Sequence, residues 1–197
     1  MEEEIIPKNI AELLGSAETV AWEELPDLGL YMDQVTGFLN RLLRPFTLGR
    51  DDAPLTPSMI NNYVKSGHIS RPAKKKYSRE QLAALYMLCS LKKNLSITDA
   101  AALIYFLTAQ DGARGAYERF AACQTETMEQ VKDGFTALGE TPTEEQLTDL
   151  ALDLVLHSCA ERLAAEAIIS GLILRDDSRR TARQTAEGVT EQETEEE

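Results

Sequence analysis

Apolar residues in this chain recur at spacings of three and four almost throughout, and the pattern is broken only where proline, glycine and helix-capping residues gather. Such spacing marks one-sided helices, and no alternating Val/Ile/Thr run of the kind that makes strands is present. The expected class is therefore mainly α. A chain of 197 residues, 43% of them hydrophobic, can bury a sizeable core in one or two domains.

The segments follow from the punctuation. Residues 1–30 form an acidic lead-in with one short helical pattern, "IAELLGSA", and a turn at Pro26-Asp27. Met32, Val35, Phe38, Leu39, Leu42 and Leu43 trace one face of a helix over 31–43, which "RPFTLGRDDAPL" then breaks. Thr56-Pro57 starts a short helix over 57–66, because threonine caps and proline fits the first helical position; Gly67 ends it. "HISRPAKKKY" reads as an extended loop or small hairpin. Ser78 to Gln81 is a capping box that opens a helix with Leu82, Leu85, Tyr86 and Cys89 inward. Ser96 to Asp99 caps the next, with Ala100, Leu103, Ile104 and Leu107 inward.

"AQDGARG" (109–115) is the expected domain boundary, which leaves a domain over 31–110. Beyond it, two helices joined at "GETPTEE", with Thr141, Pro142 and Glu144 in capping positions, form a C-terminal antiparallel hairpin over 111–174. From 175 to 197 the chain is polar and ends "EQETEEE", a composition that cannot bury enough to fold alone. Leu154, Val155 and Leu156 are consecutive near the middle of the last helix, so they point around more than one face and predict partners on two sides. The expected assembly is a homodimer through this hairpin.

Charge is distributed unevenly. The formal net charge is −13, yet residues 54–93 hold eight Lys or Arg and one acid, which is +7. On a helix of about 100° per residue, Met59, Ile60, Tyr63 and Val64 fall on one apolar face, while Asn61, Lys65, Ser58 and Asn62 share an outward arc without an acid. Asn suits adenine, Lys suits guanine and Ser suits either kind of partner in a major groove. Arg71, Lys74, Lys75, Lys76 and Arg79 follow on the loop and in the cap, and such a cluster repels itself unless an anion receives it. Double-stranded DNA is the expected partner, and the acidic remainder discourages non-specific binding elsewhere. The alternative is a protein-interaction module on the same fold, without DNA, that uses the basic patch on an acidic protein.

The order of helix, turn, short helix, basic loop and helix pair resembles the MerR-type winged helix-turn-helix, a DNA-binding, transcription-regulating fold. "NNYVKSGHI" looks like the end of that family's recognition helix, "KKYSREQLAAL" like its segment after the wing, and "LKKNLSITDAAALI" like its closing segment. More closely, "LYMDQV", "LTPSMINNYVK" and "KKYSREQLAALYMLCSLKKNLS" resemble a bacterial domain of unknown function, DUF1836, classed as MerR-like; the resemblance covers about residues 25–110. It implies that Tyr63 stands at a tyrosine that touches a phosphate and Lys76 at the basic residue before the post-wing tyrosine. Asn61 stands where MerR proteins have arginine, and the link from Arg44 to Leu55 is longer than a tight helix-turn-helix turn.

Other functions find little support. Cys89, Cys123 and Cys159 lie far apart inside helical patterns and read as buried free thiols, which suits a reducing compartment. With two histidines, His68 and His157, and no nucleophile–base spacing, phosphate-cradling loop or metal signature, an enzyme is not expected; nor is a cofactor or a metal. His157 reads as a core or interface histidine, and Asp33 as a cap or dipole partner. "MEEEIIPKN" is acidic where a signal peptide is positive, and the longest apolar run, Ala100 to Leu107, is too short to span a bilayer. The expected location is the cytoplasm, and no small-molecule effector is indicated.

Overall fold

The computed structural model describes residues 19–47 and 55–195, and among these the chain is mainly helical. Its helices are α1 (Met32–Leu43), α2 (Pro57–Lys65), α3 (Arg79–Leu91), α4 (Ile97–Thr136) and α5 (Glu144–Glu195). Short 3-10 turns at Trp22–Glu24 and Arg44–Thr47 flank α1. The "IAELLGSA" pattern and most of the link between α1 and α2 lie outside the described residues.

Local chemistry sets the boundaries. Thr56 Oγ1 accepts from the Met59 amide at 3.2 Å, with Pro57 on the first turn, and Gly67 ends α2 at φ +76°. There the His68 amide donates back to the Tyr63 carbonyl at 2.9 Å, closing a six-to-one bond that satisfies the last turn. At α3, Ser78 Oγ accepts from the Gln81 amide while Gln81 Oε1 accepts from the Ser78 amide. Ser96 caps α4 through the Asp99 amide. The cap of α5 falls at Thr143 with Gln146, not at the Thr141–Glu144 register read from the sequence.

The core centres on α3. Leu82, Leu85, Tyr86 and Cys89 are buried as expected, and Ala83, Met87 and Leu88 join them, because α1, α4 and the N-terminal segment cover the helix from several sides. Val35, Leu39 and Leu43 of α1 and Ile60 and Tyr63 of α2 complete that core. Asn40 fixes the approach of α2: its Nδ2 donates to the Leu55 carbonyl and its Oδ1 accepts from the Leu55 amide, both at 2.9 Å. One side chain thus occupies both polar groups of a residue that is 1% exposed.

Several sequence boundaries shift. The lead-in is part of the core from Trp22 onward: Trp22 and Leu25 are buried, and the Leu30 backbone pairs with Tyr77. The boundary at 109–115 is a kink inside α4, where Gly112 takes φ +70°, ψ 175°. Tyr117, beyond that kink, is wholly buried and donates to the Val20 carbonyl at 2.6 Å, with its ring 5.8 Å from Trp22 and 6.2 Å from Tyr86. Burial raises its hydroxyl pKa, and pushes that of Tyr86 up to about 12. The helical unit therefore extends to both sides of 31–110. The polar tail expected from 175 continues α5 as helical backbone to Glu195. Of the three cysteines only Cys89 is buried, its thiol pushed up to about 11 by desolvation; Cys123 and Cys159 are exposed. His157 is also exposed, on Asp153, so the apolar pattern around it does not mark a core.

Replacing Asn40 by Ala leaves the Leu55 amide and carbonyl without partners in a dry site. The expected loss is about 1–3 kcal/mol per stranded group at the upper limit, read as a lower urea midpoint at unchanged slope. An unchanged midpoint would show that α2 is positioned by something else.

Candidate nucleic-acid interface

The outward arc predicted for α2 is present. Ser58, Asn61, Asn62 and Lys65 are all exposed, while Ile60 and Tyr63 are buried beneath them. No acidic residue stands on this helix.

The basic loop after α2 is a tight hairpin. Ala73 and Lys76 form an antiparallel bridge, with the Lys76 amide donating to the Ala73 carbonyl at 2.9 Å. Lys74 and Lys75 occupy the two turn positions at φ +50° and +64°. Left-handed backbone at both positions is what a mirror-image two-residue turn requires, and Asn-Gly is the sequence that adopts it easily. For lysine each such residue costs about 1–2 kcal/mol. Here two adjacent residues accept that cost at the tip, and both carry an exposed cation.

Three attachments hold the root of the hairpin. Gln81 is buried, and its Nε2 donates to the Ser70 carbonyl at 2.8 Å and to Ser70 Oγ at 3.0 Å. Its Oε1 accepts from the Ser78 amide at 2.9 Å, so one amide group joins both ends of the hairpin. On the outer side, Tyr77 and Leu30 exchange two backbone hydrogen bonds, at 2.9 and 3.0 Å. Lys76 lies along that pairing: a Cβ at Gly29 would meet the Lys76 Cβ at 3.0 Å, and the Lys76 ammonium sits 5.2 Å from the centre of the Tyr31 ring.

Two of the ten residues singled out from the sequence are engaged inside the protein. Tyr63 is 8% exposed, and its hydroxyl accepts from Lys92 Nζ at 3.1 Å. Its place on the apolar face of α2 keeps it in the core rather than on an outer phosphate. Arg79 is half-buried, 3.8 Å from Asp27 and 5.8 Å from the centre of the Trp22 ring, so part of its charge is met by the N-terminal segment. The remaining eight, Ser58, Asn61, Asn62, Lys65, Arg71, Lys74, Lys75 and Lys76, are exposed. Sequence reasoning missed Gln81 as a clamp, although its place in the capping box was visible, and it missed Asp27 as the partner of Arg79.

Among the described residues, no group of three or more His, Cys, Asp or Glu side chains is arranged to hold a metal ion, and no helix is long and apolar enough to cross a membrane. If the dilysine turn is strained, replacing Lys74 by Asn and Lys75 by Gly should raise stability by about 1–2 kcal/mol in urea unfolding. Equal or lower stability would remove strain from the account.

Compared with known proteins, the chain matches neither a curated protein nor a solved structure. A family model, the domain of unknown function DUF1836, matches residues 20–120. That span includes Trp22 and Tyr117, the residues that carry the core past both sequence-drawn boundaries. The chain belongs to the DUF1836 family.

Proposed function

We propose that this protein is a DNA-binding transcriptional regulator built on a MerR-like winged helix-turn-helix, acting in the cytoplasm as a homodimer. In this reading α2 enters the major groove and sets Ser58, Asn61, Asn62 and Lys65 against base edges. The hairpin serves as the wing, and Arg71, Lys74, Lys75 and Lys76 meet phosphates. One observation carries the reading: an acid-free polar helix runs directly into a hairpin whose tip is two left-handed lysines, inside a protein of net charge −13. A helix of nine residues reads few base pairs, so useful specificity requires a second copy on a second half-site.

A second reading keeps the fold and replaces DNA by an acidic protein. The overall acidity favours it, since two copies bring −26 toward a polyanion. Internal engagement of Tyr63 and Arg79 also thins the phosphate-facing set.

Salt dependence separates the two. Replacing Lys74, Lys75 and Lys76 by Ala should weaken binding to any duplex and flatten the slope of log K against log salt by about 0.9 per lost phosphate contact. Unchanged duplex affinity and slope would leave the interaction module standing. Asn62→Ala should cost about 1–3 kcal/mol on the preferred sequence and relax selection at one base pair. An equal loss on random DNA would instead make Asn62 a backbone contact.

A further inference from the structure

α5 touches α4 at two places and leaves a gap between them. Near the turn, Leu147 and Leu150 are half-buried and Phe135 of α4 is buried. Farther along, Ala165 and Leu172 are half-buried and Ile169 is 2% exposed. At about 100° per residue, Leu147, Leu150, Leu154, Ala165, Ile169 and Leu172 share one side of α5, the side that packs on α4. Yet every residue from 151 to 164 is exposed, Leu154 included at 39%. One helix face is thus closed at 147–150 and again at 165–172, and open in the middle. Leu152, Leu156 and Leu163 point the opposite way, away from α4.

The described chain starts beside this gap. α4 ends at Thr136 and α5 begins at Glu144. Counted equally from the turn between them, Gln124 stands level with Leu156, just as Tyr105 stands level with Arg175, with which it lines one cleft. Thr19 Oγ1 lies 3.4 Å from Gln124 Oε1 and 3.3 Å from Thr125 Oγ1. From there the chain follows α4 back toward Gly112, with Val20 bonded to the Tyr117 hydroxyl and Trp22 packed on the Tyr117 ring. Continued the other way along the same line, the residues ahead of Thr19 pass Met128 and Val131 of α4 and Leu150 and Leu154 of α5. Met128, Val131 and Leu150 are half-buried.

Those residues carry the pattern of a covering helix. In "NIAELLGSA" (9–17), Asn9 is a favourable cap with Glu12 three residues on. Ile10, Leu13, Leu14 and Ala17 share one side, and Glu12 falls on the other. As a helix, Ile10 to Ala17 spans about 10 Å, and the open stretch from Ala151 to Glu161 spans about 15 Å, so the segment fits within it. The receiving face is nearly free of charge. Ala151, Leu154 and Ser158 line it on α5, with His157 on Asp153 at one edge and Glu161 at the far end. On α4, Thr125 and Met128 line it, Lys132 flanks it, and Glu126 and Glu129 point elsewhere.

We propose that the gap is filled by residues 9–17 of the same chain, docked as a helix on Met128, Leu150 and Leu154. The docking ties α5 to the helical unit that carries the basic surface. It is independent of DNA binding and of pairing between copies.

A spin label tests it in the full chain. Cys123→Ser and Cys159→Ser remove the exposed thiols, Cys89 is buried, and Ser16→Cys then supplies one accessible site for a nitroxide. With nitroxide and isotope on the same chain, the amide signals of residues 125–131 and 150–158 should lose most of their intensity and regain it when the label is reduced. No loss, or loss confined to other residues, overturns the proposal. Spin-labelled chains mixed with isotope-labelled, nitroxide-free chains should leave the same signals unchanged. Loss in that mixture assigns the segment to a second copy and also overturns the proposal. Leu13→Glu should speed amide exchange at 150–158 at least tenfold, whereas Glu12→Lys, on the outer side, should leave it unchanged. If Leu13→Glu unfolds the core, Leu13→Ala replaces it. Unchanged exchange in whichever of the two stays folded overturns the docking.

Discussion

Gln81 sits in the first turn of α3, 9% exposed, and divides one amide group between the two ends of the basic hairpin. Its nitrogen binds Ser70 at the entry and its oxygen binds Ser78 at the exit, while its own backbone amide completes the cap of α3. Tyrosines apart, it is the one buried polar side chain among the described residues. An amide buried with its hydrogen bonds made is inexpensive, and one that loses them is costly, so the arrangement is self-enforcing. The hairpin half of the candidate surface depends on it, because the hairpin makes no sheet and is otherwise held by the Leu30–Tyr77 bridge and the Ala73–Lys76 bridge.

Electrostatics completes the picture that the hairpin begins. A window of +7 in a chain of −13 is free to neutralise itself against the acidic remainder, and in part it does: Arg79 reaches Asp27. Lys92 is drawn inward to the Tyr63 hydroxyl. Apart from Lys93, on the turn after α3, the cations of this window left exposed are those on the outer arc of α2 and on the hairpin, where the turn geometry holds Lys74 and Lys75 away from the core. Exposed surface charges contribute little to folding. Their concentration here is better understood through an external anion than through stability.

Much of this was legible in the residues, and the misses have physical causes. Caps at Thr56, Ser78 and Ser96, the stop at Gly67 and the inward faces of α1 to α3 are local features, set by bonds within a few residues, and they stand where the spacing puts them. Helical phase also put Tyr63 on the buried side; only the resemblance to MerR proteins moved it to a phosphate. What local pattern does not reveal is contact across the sequence. Trp22 joins Tyr117, and Arg79 joins Asp27, over separations that no periodicity encodes. Gly112 looks like a boundary because glycine commonly ends helices, and the helical backbone does break there, yet the chain beyond it returns Tyr117 to the same core. Apolar spacing likewise cannot tell a face that packs at home from one left open, which is why Cys159 reads as buried and stands exposed.

The central claim is that α2 and the hairpin form one surface for duplex DNA. Backbone amide shifts of the full chain, followed by nuclear magnetic resonance during titration with a mixed-sequence duplex, address it residue by residue. The account predicts salt-sensitive shifts concentrated at residues 57–66 and 70–78, with α5 unmoved. Shifts confined to other helices, or none at a duplex excess, would contradict it.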